Sequence, residues 1–288
     1  MANSTLAALT ATTGLDGTES LYAVQAGTDR RMTVNMIRSL LQNYLFGLTL
    51  SNNATDPTND IDIGAGIAMD QTNSWMMELT GTLTKRLDAT WVAGSGQGGR
   101  DAGTLADNTY HVFLIRNPTS GVIDALFSTS PTTPTMPTGY TQKRRIGSIV
   151  RLFSAIALFT QLGDEFLLKS HYHVGSASIS SATQGSVDLI IVPTGIRVTA
   201  IVLVTFVGTD HLACMLGPTG AVLSAGTSLS TLRGVLATGP SGTQGGRFYL
   251  LTDTNAQIDR IESASSVGIS LAFDVAGWVD RRGRDNGI

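Results

Sequence analysis

From Ile61 onward the chain is built of short apolar runs separated by clusters of Gly, Pro, Asn, Asp, Ser and Thr. No long stretch there keeps the three- and four-residue apolar spacing of a helix. Runs of this length with turns at near-regular intervals are what stacked or closed antiparallel sheets require. A mainly β fold is therefore expected, with a sandwich of jelly-roll type in the C-terminal part. Composition agrees. The 32 glycines, 25 serines and 37 threonines make up about a third of the 288 residues, and threonine suits a pleated surface. With 14% charged residues and three lysines, the chain lacks the Ala/Glu/Lys/Leu make-up of a coiled coil or helical bundle. A hydrophobic fraction of 42% at a net charge of −3 excludes a disordered chain and argues against a general nucleic-acid binder.

Three segments follow from the punctuation. In residues 1–50, Leu21–Val24 reads as a strand, residues 26–29 as a turn and Arg31–Thr33 as a returning strand. Thr33 then offers an N-cap to a helix whose apolar face is Val34, Ile37, Leu40, Leu41, Tyr44 and Leu45, with Gly47 at its end. A hairpin and one helix cannot bury a core alone, so this segment must dock on something else. Residues 51–60 contain no large apolar side chain and read as a linker or exposed loop. Residues 51–170 form a β-rich body, in which Tyr110–Arg116 and Val122–Thr129 flank an Asn/Pro/Gly loop as a hairpin. The following Pro131, Pro134 and Pro137 exclude a central strand there. Residues 170–186 are small and polar and mark a junction, after which 175–288 supplies the strands of the sandwich.

Targeting and redox signals are sparse. Met1–Leu6 has neither a basic nor a long apolar region, so no secretion signal is expected. The most apolar stretch, 187–207, is broken by Asp188, Pro193 and Arg197 and reads as buried strands with no membrane insertion. Cys214 is the single cysteine and sits in an apolar run, as an inert buried thiol would.

Several segments resemble a known group. The stretch Leu6–Thr10 with Gly17–Gln25 and Arg31–Ile37 resembles the opening of bacteriophage fibre proteins. Tyr110–Arg116, Gly121–Ser130, Pro134–Tyr140 and Arg144–Ile149 are similar to a segment recurrent in phage tail-fibre and virion structural proteins, and Gly277–Arg284 is similar in kind. The resemblance implies a homotrimeric fibre in the virion, made in the host cytoplasm. Its N-terminal part would attach to other virion proteins of tail, neck or head. Its C-terminal part would face a host surface polysaccharide or outer-membrane protein. It carries over no catalytic residues and no cofactor. The missing long repeats and coiled coil point to a short fibre, and leave a neck or capsid appendage and a tailspike-like polysaccharide hydrolase as alternatives.

Chemistry-bearing patterns are few. Gly94–Gly99 contains G-x-G-x-x-G, but no helical period follows, so a loop is expected instead of a dinucleotide site. His171 and His173 would share one face of an extended segment. Three copies on a trimer axis would offer six imidazoles to a transition metal; a surface histidine pair is the plain alternative. The carboxylates Asp60/Asp62, Asp164/Glu165 and Asp259/Glu262 sit in no recognisable glycosidase frame, and no enzymatic activity is expected. Lys143–Arg145 with Arg151 forms a basic cluster, read as an exposed strand end or an acidic-partner surface. The tail 280–288 is charged and expected to be exposed, its arginines pairing between subunits, while Trp278 reads as a packing anchor. Particle attachment is assigned to Val34, Ile37, Leu41 and Leu45. Receptor contact is assigned to loop residues Thr209, Asp210, Thr219, Thr227, Ser241 and Thr243.

Overall fold

A computed structural model describes residues 20–33, 41–179, 184–208, 212–220, 235–238, 242–262 and 269–284. Strands β1 (Ser20–Gln25) and β2 (Thr28–Thr33) pair as the hairpin expected from sequence. Its two-residue turn has Ala26 at φ 50° and Gly27 at φ 73°, the doubly left-handed geometry whose twist matches that of the flanking strands. Val34 and Ile37 lie outside the described residues. The helix expected to reach Leu45 does not. Leu41 accepts a hydrogen bond from the Tyr44 amide in a single tight turn, and Asn43 adopts φ 57°. Leu45 then enters β3 (Leu45–Gly47), buried and paired with Ala68. Its apolar side chain packs in the core of the body.

The body continues with β4 (Leu50–Asn52), β5 (Asp60–Ile63), β6 (Gly66–Met69), β7 (Met76–Leu79), β8 (Leu83–Thr90) and β9 (Gln97–Arg100). Next come β10 (Asn108–Arg116), β11 (Ile123–Ser128), β12 (Gln142–Leu152), β13 (Ala155–Ile156) and β14 (Phe159–Leu162). Hairpin β10–β11 matches the sequence expectation; Asn117 Oδ1 accepts the amides of Thr119 and Ser120 in its loop. The Pro131–Pro137 segment forms no strand. One face of these strands is continuously apolar: Ile61, Ile63, Leu87, Val112, Leu114, Phe127 and Ile149 are all fully buried. Strands β3, β6 and β7 form a separate small sheet.

The C-terminal part is β15 (Glu165–Ile179), β16 (Gln184–Asp188), β17 (Thr199–Gly208), β18 (Leu212–Pro218), β19 (Val235–Thr238), β20 (Gly242–Leu251), β21 (Gln257–Glu262) and β22 (Ile269–Val279). One run of neighbours is β15-β22-β17-β20 and the other is β16-β21-β18-β19. If the eight strands are lettered B to I, these are BIDG and CHEF. Two interleaved Greek keys of this order define a jelly roll. Strand β15 runs through most of the small, polar segment 170–186. It pairs with β14 at its start and with β22 along most of its length, with register shifts between Leu167 and Tyr172 and between His173 and Gly175. Small polar residues here suit a bulged, partly exposed strand as well as they suit a linker.

A single cluster of buried side chains runs from Leu45 in the body to Trp278 in the jelly roll. At its centre the Trp278 ring, fully buried, stacks on Phe166 with centroids 5.4 Å apart and planes 7° from parallel. Gly277 makes the approach possible: with φ 151°, a Cβ there would lie 2.2 Å from the Phe166 carbonyl oxygen.

Candidate functional site at the seam of body and jelly roll

The described part of the charged tail, Asp280–Arg284, was expected outside, but Asp280 and Arg282 are buried while Arg281 is exposed. Asp280 is 2% exposed and accepts two hydrogen bonds from the Arg145 guanidinium, at 2.6 and 2.9 Å. Burial alone would raise the Asp280 carboxyl; Arg145 and the Arg282 amide outweigh it and hold the group below the usual carboxylate range. Arg282, 4% exposed, donates to the carbonyls of Ile146, Gly47 and Leu48. Arg284 pairs with Asp164. Arg282 and Arg284 thus bond within the chain, because backbone carbonyls and the half-buried Asp164 offer them partners there.

The basic cluster is likewise internal. Arg144 is 3% exposed, and its terminal nitrogens reach Asn43 at 3.3 and 3.5 Å. Arg151 pairs with Asp107 at 2.5 Å, and Lys143 donates to the Thr132 carbonyl. Burial, then the neighbouring Arg145 and Arg284, lower Arg144 to about 10, which leaves it cationic at neutral pH. Beside these residues a cavity of about 290 Å³ opens between the two parts. Arg144, Arg145, Arg197 and Arg281 line it, with Asp280 as the lining carboxylate. Phe113, Ile196 and Val198 supply apolar wall.

Behind Arg145 lies His111, fully buried. Its Nδ1 is 2.9 Å from Ser148 Oγ, which also accepts from Arg145 at 3.0 Å. Its Nε2 faces Gly195, where a Cβ would sit 3.3 Å away. Burial, and then the Arg145 charge, lower His111 from 6.5 to about 3. The unfolded chain gains this proton as pH falls through 6.5, whereas the folded chain resists until about 3. Stability is therefore complete above pH 6.5 and lost in the window below it, by about 1.4 kcal/mol per pH unit. Urea unfolding at pH 7.5 and 5.0 should differ by about 2 kcal/mol from this group. His111→Asn should remove that difference; an unchanged pH dependence would refute the assignment.

A second buried pair explains the glycine pattern. Lys85 and Asp124 lie 3.1 Å apart, at 0% and 1% side-chain exposure. Lys85 Nζ donates to the carbonyls of Val92 and Gly94, and Asp124 Oδ2 accepts the Gly94 amide. The loop is pinned and leads into strand β9, with no helix to receive a pyrophosphate. Gly98 serves packing, since a Cβ there would fall 1.9 Å from the Thr90 carbonyl oxygen.

The remaining sequence candidates scatter. His171 and His173 are both exposed on β15. His173 Nδ1 is 2.9 Å from Asp274 Oδ1, and its Nε2 is 3.1 Å from Ser176 Oγ. Among the described residues no group of three His, Cys, Asp or Glu could hold a metal ion. Asp62 accepts from Asn53 and Thr84, Asp164 pairs with Arg284, and Asp259 accepts from Ser186 and the Gly220 amide. The three pairs lie on different elements, β5, the β14–β15 turn and β21, and Asp60 feels other carboxylates, since burial and then the charges of Asp56, Asp88 and Asp62 raise it. Leu41 is half-buried. Thr209, Asp210, Thr227 and Ser241 lie outside the described residues, and Thr243 pairs with Val207 in β20.

Register separates the receptor candidates. Ile179 pairs with Ile269, Gly208 with Gly242, Leu212 with Thr238, and Gln184 with Ile261. These are the strand ends far from the body. They flank 180–183, 209–211, 239–241 and 263–268, and hence Thr209, Asp210 and Ser241. Thr219 belongs to the opposite end: its hydroxyl donates to the Gln257 carbonyl, where Asp188 and Pro218 end their strands beside β21. Alternation of strand direction around a jelly roll forces this split, and spacing along the sequence does not reveal it. The seam was also missed, because its members come from positions as far apart as Asn43, Arg144, Arg197 and Asp280.

No known protein family matches the sequence, and no curated protein does. Among solved structures, infectious bursal disease virus strain Gx aligns over 84% of this chain and 72% of its own, at 11% identity and a TM-score of 0.18. A glycoside hydrolase family 43 arabinoxylan arabinofuranohydrolase from Bacillus subtilis aligns over 80% and 65%, at 11% identity and a TM-score of 0.21. A Cry1Da tryptic core variant from Bacillus thuringiensis aligns over 92% and 59%, at 10% identity and a TM-score of 0.19.

Proposed function

We propose that this chain is a binding component of a phage virion: a short homotrimeric fibre whose body faces the particle and whose jelly roll faces the host. The observation that carries the proposal is the jelly-roll strand order, fused through β15 and one shared core to a β body. Such a scaffold holds one cluster of loops at a fixed distance from its base, and loops on rigid scaffolds carry recognition. The register supports 180–183, 209–211, 239–241 and 263–268 as the contact surface, with Thr209, Asp210 and Ser241 among its residues. The sequence resemblance to phage fibre proteins agrees.

Assembly has its own support. On the small sheet, Phe46 lies opposite Ile67, which lies opposite Glu78. Phe46 is 67% exposed and Met76, two residues from Glu78 on the same face, is 45% exposed. A second copy of the chain would cover the exposed Phe46 and Met76 on this face, and many weak contacts then sum over the assembled copies. Incubation with surface polysaccharide from the host bacterium tests the function. Retention of the protein without shortening of the polysaccharide is expected. Release of oligosaccharides would replace the proposal with a hydrolase, and absence of binding would leave a particle appendage.

A further inference from the structure

The seam cavity is built like a receptor for a negatively charged group. Four arginines line it against a single lining carboxylate, Asp280, and that carboxylate is already held by Arg145. Arg144 is the decisive residue. It is 3% exposed, yet its Nε carries a buried N–H with no partner. That nitrogen faces Gly283, another lining residue, whose missing Cβ would lie 3.9 Å away. A buried guanidinium N–H without an acceptor is costly, and a planar fork of this kind suits the two oxygens of a carboxylate or phosphate. Arg197, exposed at the rim, gives an entering anion a first point of attraction.

We propose that this cavity binds a small ligand through an oxyanion, carboxylate or phosphate, with Arg144 as the inner contact and Arg197 as the outer one. A volume of about 290 Å³ is just below the ~300–1,000 Å³ of typical ligand pockets. The occupant is therefore a single sugar-sized unit, free or at the end of a polymer. The apolar wall of Ile196 and Val198 and the polar Asn43, Gln71 and Thr132 suit the mixed faces of such a unit. The site is independent of the host-facing loops and does not require the virion reading.

Calorimetric titration of the intact protein with glucuronate, glucose 6-phosphate, inorganic phosphate and glucose tests the proposal. At least one anion should bind about tenfold or more tightly than neutral glucose. Preference for glucuronate identifies a carboxylate ligand; preference for glucose 6-phosphate or inorganic phosphate identifies a phosphate ligand. Arg144→Met and the rim variant Arg197→Ala should each weaken that anion about tenfold while Arg197→Ala keeps the wild-type melting temperature. If Arg144→Met fails to fold, the Arg197→Ala result decides. Equal binding of glucose and the anions, no binding of any, or anion binding unchanged in the folded variants would each overturn the site.

Discussion

Replacing Asp280 by alanine is expected to lower the unfolding free energy by about 3–5 kcal/mol. The carboxylate is 2% exposed and is the partner of Arg145, through two short hydrogen bonds, and of the Arg282 amide. Without it, the mostly buried Arg145 keeps only Ser148 among these partners, and the turn that aims Arg282 at the carbonyls of β3 loosens. The loss thus comes mainly from an uncompensated cation, and less from the pair's own attraction. That distinction is measurable. In urea unfolding, the double variant Asp280→Ala/Arg145→Met should recover a substantial part of the loss. A single variant within about 0.5 kcal/mol of wild type would contradict the role given to the tail.

Trp278→Ala is the second large effect, about 3–5 kcal/mol. The indole is fully buried, stacked on Phe166 and flanked in register by Ala200 of β17. Removing it opens a void where β15, β22 and β17 meet, and the surrounding sheet cannot collapse into it. Its Nε1 has no hydrogen-bond partner, so Trp278→Phe keeps much of the apolar contact while deleting an unpaired donor. The phenylalanine variant should cost less than half of the alanine variant in the same denaturation experiment. Equal losses would contradict the claim that apolar ring packing, which phenylalanine retains, carries the effect.

The β class and most strand positions were legible because alternation and turn residues are local signals. The β10–β11 hairpin and the proline segment followed from a few neighbouring residues each. The expectation of helix for residues 41–45 fails for an equally local reason. Leu41, Tyr44 and Leu45 fit a helical face by spacing, but Asn43 takes φ 57° and Leu45 finds its partner in Ala68 of β6. Pairing partners distant in sequence overrode the local period. Charge was misread the same way. Lys143–Arg145 and Arg281–Arg284 look like solvent-facing clusters until the fold brings Asp280 onto Arg145 and the carbonyls of β3 onto Arg282. Trp278 was read correctly, since its apolar neighbours Val275 and Val279 already marked a buried strand.

The sequence showed two of the seam's pieces, the Lys143–Arg145 cluster and the charged tail, but nothing in it joined them to each other or to Arg197, and the three lie more than fifty positions from one another. Only the closure of the jelly roll against the body gives them a common cavity. The same closure puts the strand ends at Gly208 and Gly242 at one end and Thr219 at the other, which is why the candidate contact residues divide.

Light scattering of the purified chain tests the central claim most directly. The account predicts a single species of three times the 30.2 kDa chain mass, reduced to the monomer by Phe46→Glu on the open face of the small sheet. A monodisperse 30.2 kDa species for the wild-type protein would contradict it.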